Sequence, residues 1–422
     1  MSGSSTVHFR ECRALLTSCL CTVSLYPACG QESIRPSLAG DSVAALTRPI
    51  IDNADYNLEL GPALVSLSST LQFAFNDNIE LSEIHRESDL IVTPTIDASA
   101  LWQVTELNAL RLDLGIGYSK YLNHSQFDTE TLLIAPNSDI SFDIYIGDFR
   151  ITLSDQFSIQ QNPVDEITLS RVGKFERFQN SAGLSVIWDL NAFTLVAGYT
   201  NYLFRSFDSE FGFLDRTEQQ FYSSAGFRLN DAMTVGLRAT GAVITYVQNF
   251  QNSGVIYNFG PFIETHLTQY TRLSLEAGYQ GGAFEVGGLN GDKSSLSGFY
   301  GRLLLRHRLN DYWTESLAIG REAQTGLTTN FTTINYVRYA ADWRINSRIT
   351  LNLAAFYEHG VDSPGLFESE RINRIGFSAG FGYKIAKHAV VSIGYQYINR
   401  ASDLAGLSYR QNQVLWTMSY AF

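Results

Sequence analysis

The side chains that most often carry acid–base or metal chemistry are scattered along this sequence rather than grouped. Six histidines follow residue 30, and no two of them have the short spacing of paired metal ligands. They are His85, His124, His266, His307, His359 and His388. The zinc-protease pattern H-E-x-x-H is absent. We therefore expect no catalytic site, no metal and no cofactor.

Two local groupings could be mistaken for sites. His359, Asp362 and Ser363 form the nearest cluster of an acid–base type, but such residues are also ordinary in a polar loop. The stretch Gly287–Ser294 superficially resembles a phosphate-binding loop, although it lacks the Gly-Lys-Ser order of that motif. Ordinary surface loops explain both better.

The composition indicates a class of protein. The chain has 22 tyrosines and 27 phenylalanines but only 9 prolines and 3 methionines. After the first thirty positions it has no apolar run of the ~20 residues that a membrane-spanning helix needs. Its net charge of −12 argues against a nucleic-acid partner, because phosphates attract a basic face. This balance is typical of transmembrane β-barrels, whose strands show one face to lipid and the other to water.

All four cysteines lie in the first thirty residues, which have the features of a cleavable export signal. Arg10 and Arg13 precede an apolar stretch, Ala14–Tyr26, that is too short to span a membrane comfortably, and small residues follow at Ala28-Cys29-Gly30. We predict a signal peptide over residues 1–30 and a mature chain without cysteine. Lipidation of Cys29 is the alternative, although the residues before it suit a lipoprotein signal poorly. Residues 31–55 are predicted to be a flexible periplasmic segment.

From about residue 56 to the end, one pattern of period two continues without a second domain. Between Arg348 and Glu358, apolar side chains occupy every second position and mostly polar ones lie between them. The stretch from Arg374 to Ile385 alternates in the same way. Successive side chains of a strand point to opposite faces, so each segment has one apolar and one polar surface.

Two kinds of connection alternate between these segments. Short ones contain Asn and Asp, as at Asp189-Leu190-Asn191 and Leu309-Asn310-Asp311, and suit tight turns. Long ones are polar and acidic: Asn76–Asp89, Gln160–Gln179, Arg205–Glu218, Phe284–Ser295 and His359–Arg371. Short turns at one end and long loops at the other are typical of outer-membrane barrels, whose short turns face the periplasm. A soluble β-sandwich or propeller would not need this asymmetry.

We therefore predict an all-β fold for residues 56–422, namely a transmembrane antiparallel up-and-down β-barrel of about 18 strands. Sixteen strands is the alternative, because the pairing near residues 129–160 is unclear. An even number places both ends of the barrel on the side of the short turns. Tyrosines near strand ends, such as Tyr199 and Tyr395, predict aromatic girdles at the two membrane borders.

The last strand has one apolar face that ends on the final residue of the sequence. That face consists of Val414, Trp416, Met418, Tyr420 and Phe422. A terminal strand that ends on phenylalanine resembles the signal that the barrel-assembly machinery recognises. We predict this role for Trp416, Met418, Tyr420 and Phe422, with that machinery as a partner.

Residues from about Tyr56 to the end resemble a bacterial family described as outer-membrane β-barrel porins. The likeness is carried by Phe75–Ile79, by Arg86–Ile91 with Pro94, and by Trp102–Asn108, Gly115–Leu122 and Ile144–Phe149. The resemblance implies a porin-like barrel in the bacterial outer membrane, surrounded by lipid and lipopolysaccharide. Some relatives in this family are linked to exopolysaccharide export. The matching residues form the barrel and are not a functional signature.

The polar faces of the predicted strands would line the lumen with more basic than acidic side chains. The candidate lumen-lining residues are Arg111, Asp113, Arg150, Arg238, Arg272, Glu276, Arg302, Arg306, Arg338, Asp342, Arg374 and Lys384. A basic wall would favour anions, whereas arginines paired with neighbouring acids would only stabilise the wall. Most acids lie in the long loops, which predicts an acidic outer mouth.

These observations favour a porin-like channel for the passive passage of small hydrophilic solutes, with anions as one candidate class. The alternatives are the outer-membrane component of an exopolysaccharide export system and a structural barrel with a blocked lumen. The loop Gln160–Gln179, with Arg171, Lys174 and Arg177, is long enough to fold inward as a constriction. An outward, solvated course is the other hypothesis for this loop.

Overall fold

The computed structural model describes residues 56–365 and 369–422, and in them an antiparallel sheet of eighteen long strands closes into a barrel. The predicted signal peptide and the 31–55 segment lie outside these residues. The strands are β1 (Leu58–Leu60), β2 (Ala63–Asn76), β3 (Asp89–Gln103), β4 (Ala109–Gly117), β5 (Lys120–Tyr121), β6 (Leu133–Ile134), β7 (Asp139–Ile146), β8 (Phe149–Gln160), β9 (Arg177–Asp189), β10 (Phe193–Ser206), β11 (Arg216–Asn230), β12 (Met233–Tyr246), β13 (Gly254–Thr268), β14 (Thr271–Phe284), β15 (Leu296–Asn310), β16 (Trp313–Thr325), β17 (Phe331–Arg344), β18 (Ile349–Asp362), β19 (Arg371–Lys384), β20 (Ala389–Ser402) and β21 (Tyr409–Ala421). Three short 3₁₀ helices lie in the connections, at Ser125–Phe127, Pro163–Asp165 and Ser209–Leu214.

The barrel closes where its first long strand meets its last. Strands β2 and β21 pair in antiparallel register, and the hydroxyl oxygens of Thr70 and Ser419 lie 3.0 Å apart across this seam. Every other barrel strand pairs with its neighbours in the chain, so the sheet has no free edge. The prediction of eighteen strands is confirmed.

The region near residues 129–160 has the irregular pairing that made its strand count unclear. Strand β4 pairs with β7 only over Ala109–Asp113. Beyond that point the short β5 pairs with β3, and the short β6 lies between β4 and β8. The wall is therefore continuous here, but it is built from fragments whose alternation is too short to recognise in the sequence.

The outward face of the barrel is apolar, as the alternation predicts. On β21, the side chains of Trp416, Met418 and Tyr420 are all more than 40% exposed, and Phe422 continues this face. Stacked aromatic pairs lie near the short turns, with ring centroids 5.2 Å apart for Phe149 and Trp188. Such a surface is stable only in contact with lipid.

The opposite border of this apolar band is marked by tyrosines that donate hydrogen bonds to amide side chains. The Tyr357 hydroxyl donates to Asn373 (3.0 Å), and that of Tyr395 donates to Asn412 (2.7 Å). A tyrosine with its ring in lipid and its hydroxyl on a polar neighbour is typical of the membrane interface.

The connections are short at the aromatic-paired end and long at the other, and both chain ends of the barrel lie on the short side. Together with closure and an apolar belt, this is the construction of a bacterial outer-membrane barrel, and the protein lies in the outer membrane. In the described ranges, helices are too short and too polar to cross a bilayer.

Candidate functional site

The long loop between β8 and β9, residues 161–176, folds into the barrel; we call it the constriction segment. The side chain of Asn162 accepts a hydrogen bond from the backbone N–H of Val164 (3.2 Å) and caps the 3₁₀ helix Pro163–Asp165. From there the segment reaches the wall formed by β17 to β21. Strands β8 and β19 are the fifth and sixteenth of the eighteen, so the segment crosses the lumen.

Apolar side chains anchor the constriction segment on the far wall. Val164 is buried with Leu81, Ile398 and Tyr409. Ile167 is fully buried in a second cluster that includes Ile334 and Ile372. Burying two such side chains contributes roughly 1.5–3 kcal/mol each. The inward course of the Gln160–Gln179 loop is therefore the one that the structure adopts.

Arginines from the wall donate to backbone carbonyls of the same segment. Arg374 Nη1 donates to the Val164 carbonyl (2.8 Å), and Arg400 Nε donates to the Ile167 carbonyl (2.9 Å). At the root of the segment, Arg177 Nη1 donates to the carbonyls of Asn162 (3.1 Å) and Phe175 (3.2 Å). These bonds satisfy carbonyls that water cannot reach in a packed interior.

Two acids hold these arginines in place. Glu358 lies 2.7 Å from Arg374 and 2.9 Å from Arg338, and Glu370 lies 2.8 Å from Arg400. Sequence reasoning missed Glu358 and Arg400 as parts of the lumen. The signal for Glu358 was available, because it occupies the polar face of the alternating stretch Arg348–Glu358.

The twelve predicted lumen-lining residues all lie on the strand face opposite the exposed apolar side chains. Several of the arginines are paired. Arg150 lies 3.2 Å from Asp143, and Arg238 lies 2.5 Å from Glu276 and 3.3 Å from Glu264. The lumen therefore contains more acids than the sequence suggested, and a uniformly basic wall is not what the strands form.

Arg272 and Arg306 differ from the other lumen arginines. They are direct cross-strand partners on β14 and β15, both are exposed, and neither has a hydrogen bond or ion pair to a residue that the structure describes. Like charges placed directly opposite destabilise a sheet unless water or an anion screens them. Their exposure inside the barrel shows that water reaches this part of the lumen.

Acids lie across the lumen from these two arginines. Asp113 and the unpredicted Asp97 are on β4 and β3, the third and second strands of the ring. Arg272 and Arg306 are on the eleventh and twelfth, so half the ring separates the two groups. Asp97 and Asp113 thus face Arg272 and Arg306 across the lumen, and Arg111 lies beside Asp113 on the same face of β4.

The long loops on one side of the outer mouth interlock through buried polar side chains. Asp292 is fully buried, and its carboxylate accepts hydrogen bonds from Ser363 Oγ (2.5 Å) and from the backbone N–H of Asn330 (2.8 Å). Asn252 donates to Asn330 (2.9 Å) and Asn290 (3.0 Å). Four connections are therefore joined by one buried polar network.

A small cavity remains beside the constriction segment. It lies between that segment, strands β9 to β11 and the β16–β17 loop, and it is lined by Glu166, Gln179, Arg216, Glu218 and Gln324 among others. Arg216 and Glu218 form an ion pair of 2.8 Å in its wall. Leu169 and Phe175 of the segment line the same cavity and pack with Tyr202 and Phe204, so the cavity is of mixed polarity.

The groupings that could be mistaken for catalytic sites do not converge. The His359 ring bonds Asn373 on the outer face, whereas Ser363 bonds Asp292 in the mouth network. The spacing G-x-S-x-G does occur, at Gly376–Gly380, but Ser378 lies in the middle of strand β19 and not at the strand-to-helix turn of a nucleophile elbow. The described residues include no group of three His, Cys, Asp or Glu side chains that could hold a metal.

No protein-family model matches this chain, and no curated protein matches it. Solved structures with a similar strand arrangement include OccAB3 of Acinetobacter baumannii, with 12% identity over 86% of this chain and 100% of that one, at a TM-score of 0.48. OccK2 (OpdF) of Pseudomonas aeruginosa in complex with glucuronate has 12% identity over 85% and 98%, at 0.49. OpdK of Pseudomonas aeruginosa with vanillate has 12% identity over 85% and 99%, at 0.46.

Proposed function

We propose that this barrel is an outer-membrane channel for small hydrophilic solutes, with the constriction segment as its narrow point. One observation carries the proposal. In the periplasmic half, charged side chains on the inner wall, such as Arg272, Arg306 and Asp342, are exposed although they point into the barrel. Exposed charges require water around them, so this half of the lumen is a water-filled vestibule.

We further propose that the vestibule favours anions. Arg150 and Arg238 contribute little net charge, since each has its own acid beside it, and Arg338 and Arg374 share Glu358. Arg272 and Arg306 have no such partner among the described residues, and rings or clusters of arginine bias a pore toward anions. Small carboxylates are the class that a guanidinium pair binds best, through bidentate hydrogen bonds.

The inward segment also bears on the alternatives. A polymer export channel needs a passage wide enough for a sugar chain, and a segment packed across the lumen works against that. A structural barrel with a blocked lumen predicts no ionic current at all. Measured conductance therefore separates it from a channel.

The test is a planar-bilayer recording of refolded residues 56–422 in a salt gradient. The wild type should conduct, and the sign of its reversal potential should show that anions permeate more readily than cations. The double variant Arg272→Gln/Arg306→Gln should shift toward cations, whereas Asp113→Asn should shift further toward anions. The matched control is Arg348→Gln/Lys387→Gln, which removes the same two positive charges from exposed residues in periplasmic turns, outside the lumen.

Each outcome decides something. No current from correctly folded protein would overturn the channel. Cation preference in the wild type, or an equal shift in the Arg348→Gln/Lys387→Gln control, would overturn the role of the arginine pair.

A further inference from the structure

The lipid-facing side of the barrel carries one charge in its periplasmic half. Among the described strand residues, the outward positions of that half are apolar or uncharged except for Glu315, on β16 two residues after its start. The other outward acid of a described strand, Asp155, lies in the middle of β8, where the side chain of Asn180 donates a hydrogen bond to it. A carboxylate at the edge of the lipid needs a physical reason, because charges on this face are disfavoured increasingly with depth.

Glu315 sits among aromatic side chains. Its Oε2 accepts hydrogen bonds from the Tyr339 hydroxyl (2.8 Å) and from Trp313 Nε1 (3.3 Å). The Trp313 ring in turn lies 5.6 Å from that of Trp343 on β17. Both hydrogen bonds go to one oxygen, and no bond to Oε1 from a described residue is formed.

This arrangement fixes the carboxylate without neutralising it. Tyrosine and tryptophan donate hydrogen bonds but carry no positive charge. His307 is the cross-strand partner of Glu315 on β15, and its Nδ1 is occupied by the Thr271 hydroxyl at 2.8 Å. The result is a negative charge with indole faces beside it, at the depth of the lipid headgroups on the short-turn side.

We infer that Glu315, Trp313, Trp343 and Tyr339 form a binding site for the ammonium headgroup of a phospholipid in the periplasmic leaflet. An ammonium group would complete the ion pair at Oε1 and lie against the indole faces, which attract cations. The inward arginine pair has no part in this site, so the inference stands apart from the proposed channel.

The experiment measures phospholipid retained by the purified full-length barrel after extraction from vesicles that contain equal amounts of phosphatidylethanolamine and phosphatidylglycerol. The wild type should retain the ethanolamine lipid in excess. Glu315→Gln, which keeps the shape and the hydrogen-bond acceptor, should lower that retention about threefold, in line with an exposed cation–π contact and ion pair. Native mass spectrometry counts the bound lipids.

Two further variants keep the test decisive. Asp155→Asn removes the other lipid-facing acid and should leave retention unchanged. Tyr339→Phe removes one of the two hydrogen bonds to Oε2 but keeps the carboxylate, so it should lower retention of the ethanolamine lipid by less than Glu315→Gln does, which separates the charge of the site from its positioning. Equal retention in Glu315→Gln and wild type, or equal retention of the two lipids, would overturn the inference.

Discussion

Arg374 and Arg400 donate hydrogen bonds to the constriction segment, and removing their guanidinium groups tests whether these bonds keep the segment in place. The double variant Arg374→Met/Arg400→Met keeps much of the side-chain length and apolar contact but donates no hydrogen bond. Glu358 retains Arg338 at 2.9 Å in this variant, so the wall keeps one of its ion pairs. The matched control is Arg150→Met, an inward arginine whose 3.2 Å ion pair is with Asp143 of its own hairpin.

The size of the effect follows from the contacts. A hydrogen bond from a charged donor contributes about 1.5–3 kcal/mol, so the bonds to the Val164 and Ile167 carbonyls together contribute about 3–6 kcal/mol. The burial of the Val164 and Ile167 side chains contributes a similar amount, about 3–6 kcal/mol. The double variant therefore loses about half of this docking free energy. A loss of about 3 kcal/mol raises the undocked population roughly a hundredfold.

Two measurements report the release of the segment. Lys174 is held by Glu130 and Glu176 and is only 8% exposed, so trypsin should cleave after it much faster in the double variant. In planar bilayers the single-channel conductance should rise and fluctuate. Each single variant should lie between the wild type and the double variant. If the folded double variant kept the trypsin resistance and the conductance of the wild type, the two arginines would not be what holds the constriction segment.

Three further predictions concern the loops and the chain end. His124 contacts Asp89 (2.9 Å) and Glu87 (2.8 Å), and the pKa of His124 is raised, first by the hydrogen bond with Asp89. The protonated histidine should therefore stabilise the loops fully at pH values below its ordinary pKa near 6.5, and this stabilisation should be lost as the pH rises through the raised pKa. Trypsin resistance of the outer loops should therefore fall between pH 6 and pH 9 in the wild type, and His124→Gln should abolish that dependence; an unchanged dependence would exclude the histidine. Asp292→Asn should destabilise the mouth network by about 1–3 kcal/mol and speed amide exchange in residues 285–295, and unchanged exchange would contradict the network. Deletion of Phe422, which is 57% exposed, should lower membrane assembly in cells yet leave refolding in detergent intact, and equal failure of both would assign it a structural role instead.

The barrel wall was predictable from the sequence because its determinants are local. Alternation sets the two faces, and Asn side chains set the turns. At the turn after β15, Asn310 accepts hydrogen bonds from the backbone N–H of Tyr312 (2.8 Å) and Trp313 (2.9 Å), which is the local chemistry that Asn provides. The number of strands was hardest to predict in the fragmented wall of β4 to β7, because the alternating runs there are too short to recognise.

The interior was not predictable in the same way, because its contacts join distant parts of the chain. Arg374 lies 210 residues from Val164, and Arg400 lies 233 residues from Ile167. A period of two tells which face of the sheet a side chain occupies, but not what meets it across the lumen. One signal was present: residues 161–176 contain five large apolar side chains, and a solvated loop has no need of apolar side chains at this density. They are Val164, Ile167, Leu169, Val172 and Phe175.

The arginines of the inner wall divide into two physical classes. Arg238, Arg338 and Arg374 each stack on an aromatic ring, at 4.6 Å from Phe262, 4.7 Å from Tyr336 and 5.1 Å from Phe356. Each also has a glutamate partner, which Arg338 and Arg374 share, and the rings lie against glycines of the adjacent strand, where a Cβ atom would collide with them.

A guanidinium that is stacked on a ring and paired with a carboxylate is held in place, and the carboxylate offsets at least part of its charge. These arginines therefore shape the lumen and position the constriction segment. Arg272 and Arg306 lie lower on the wall, without a ring or an acid partner among the described residues, and their charge remains to act on solutes. Ion selectivity should consequently depend on Arg272 and Arg306, whose charge no described acid offsets. Conductance should depend on the stacked arginines, because they position the constriction segment.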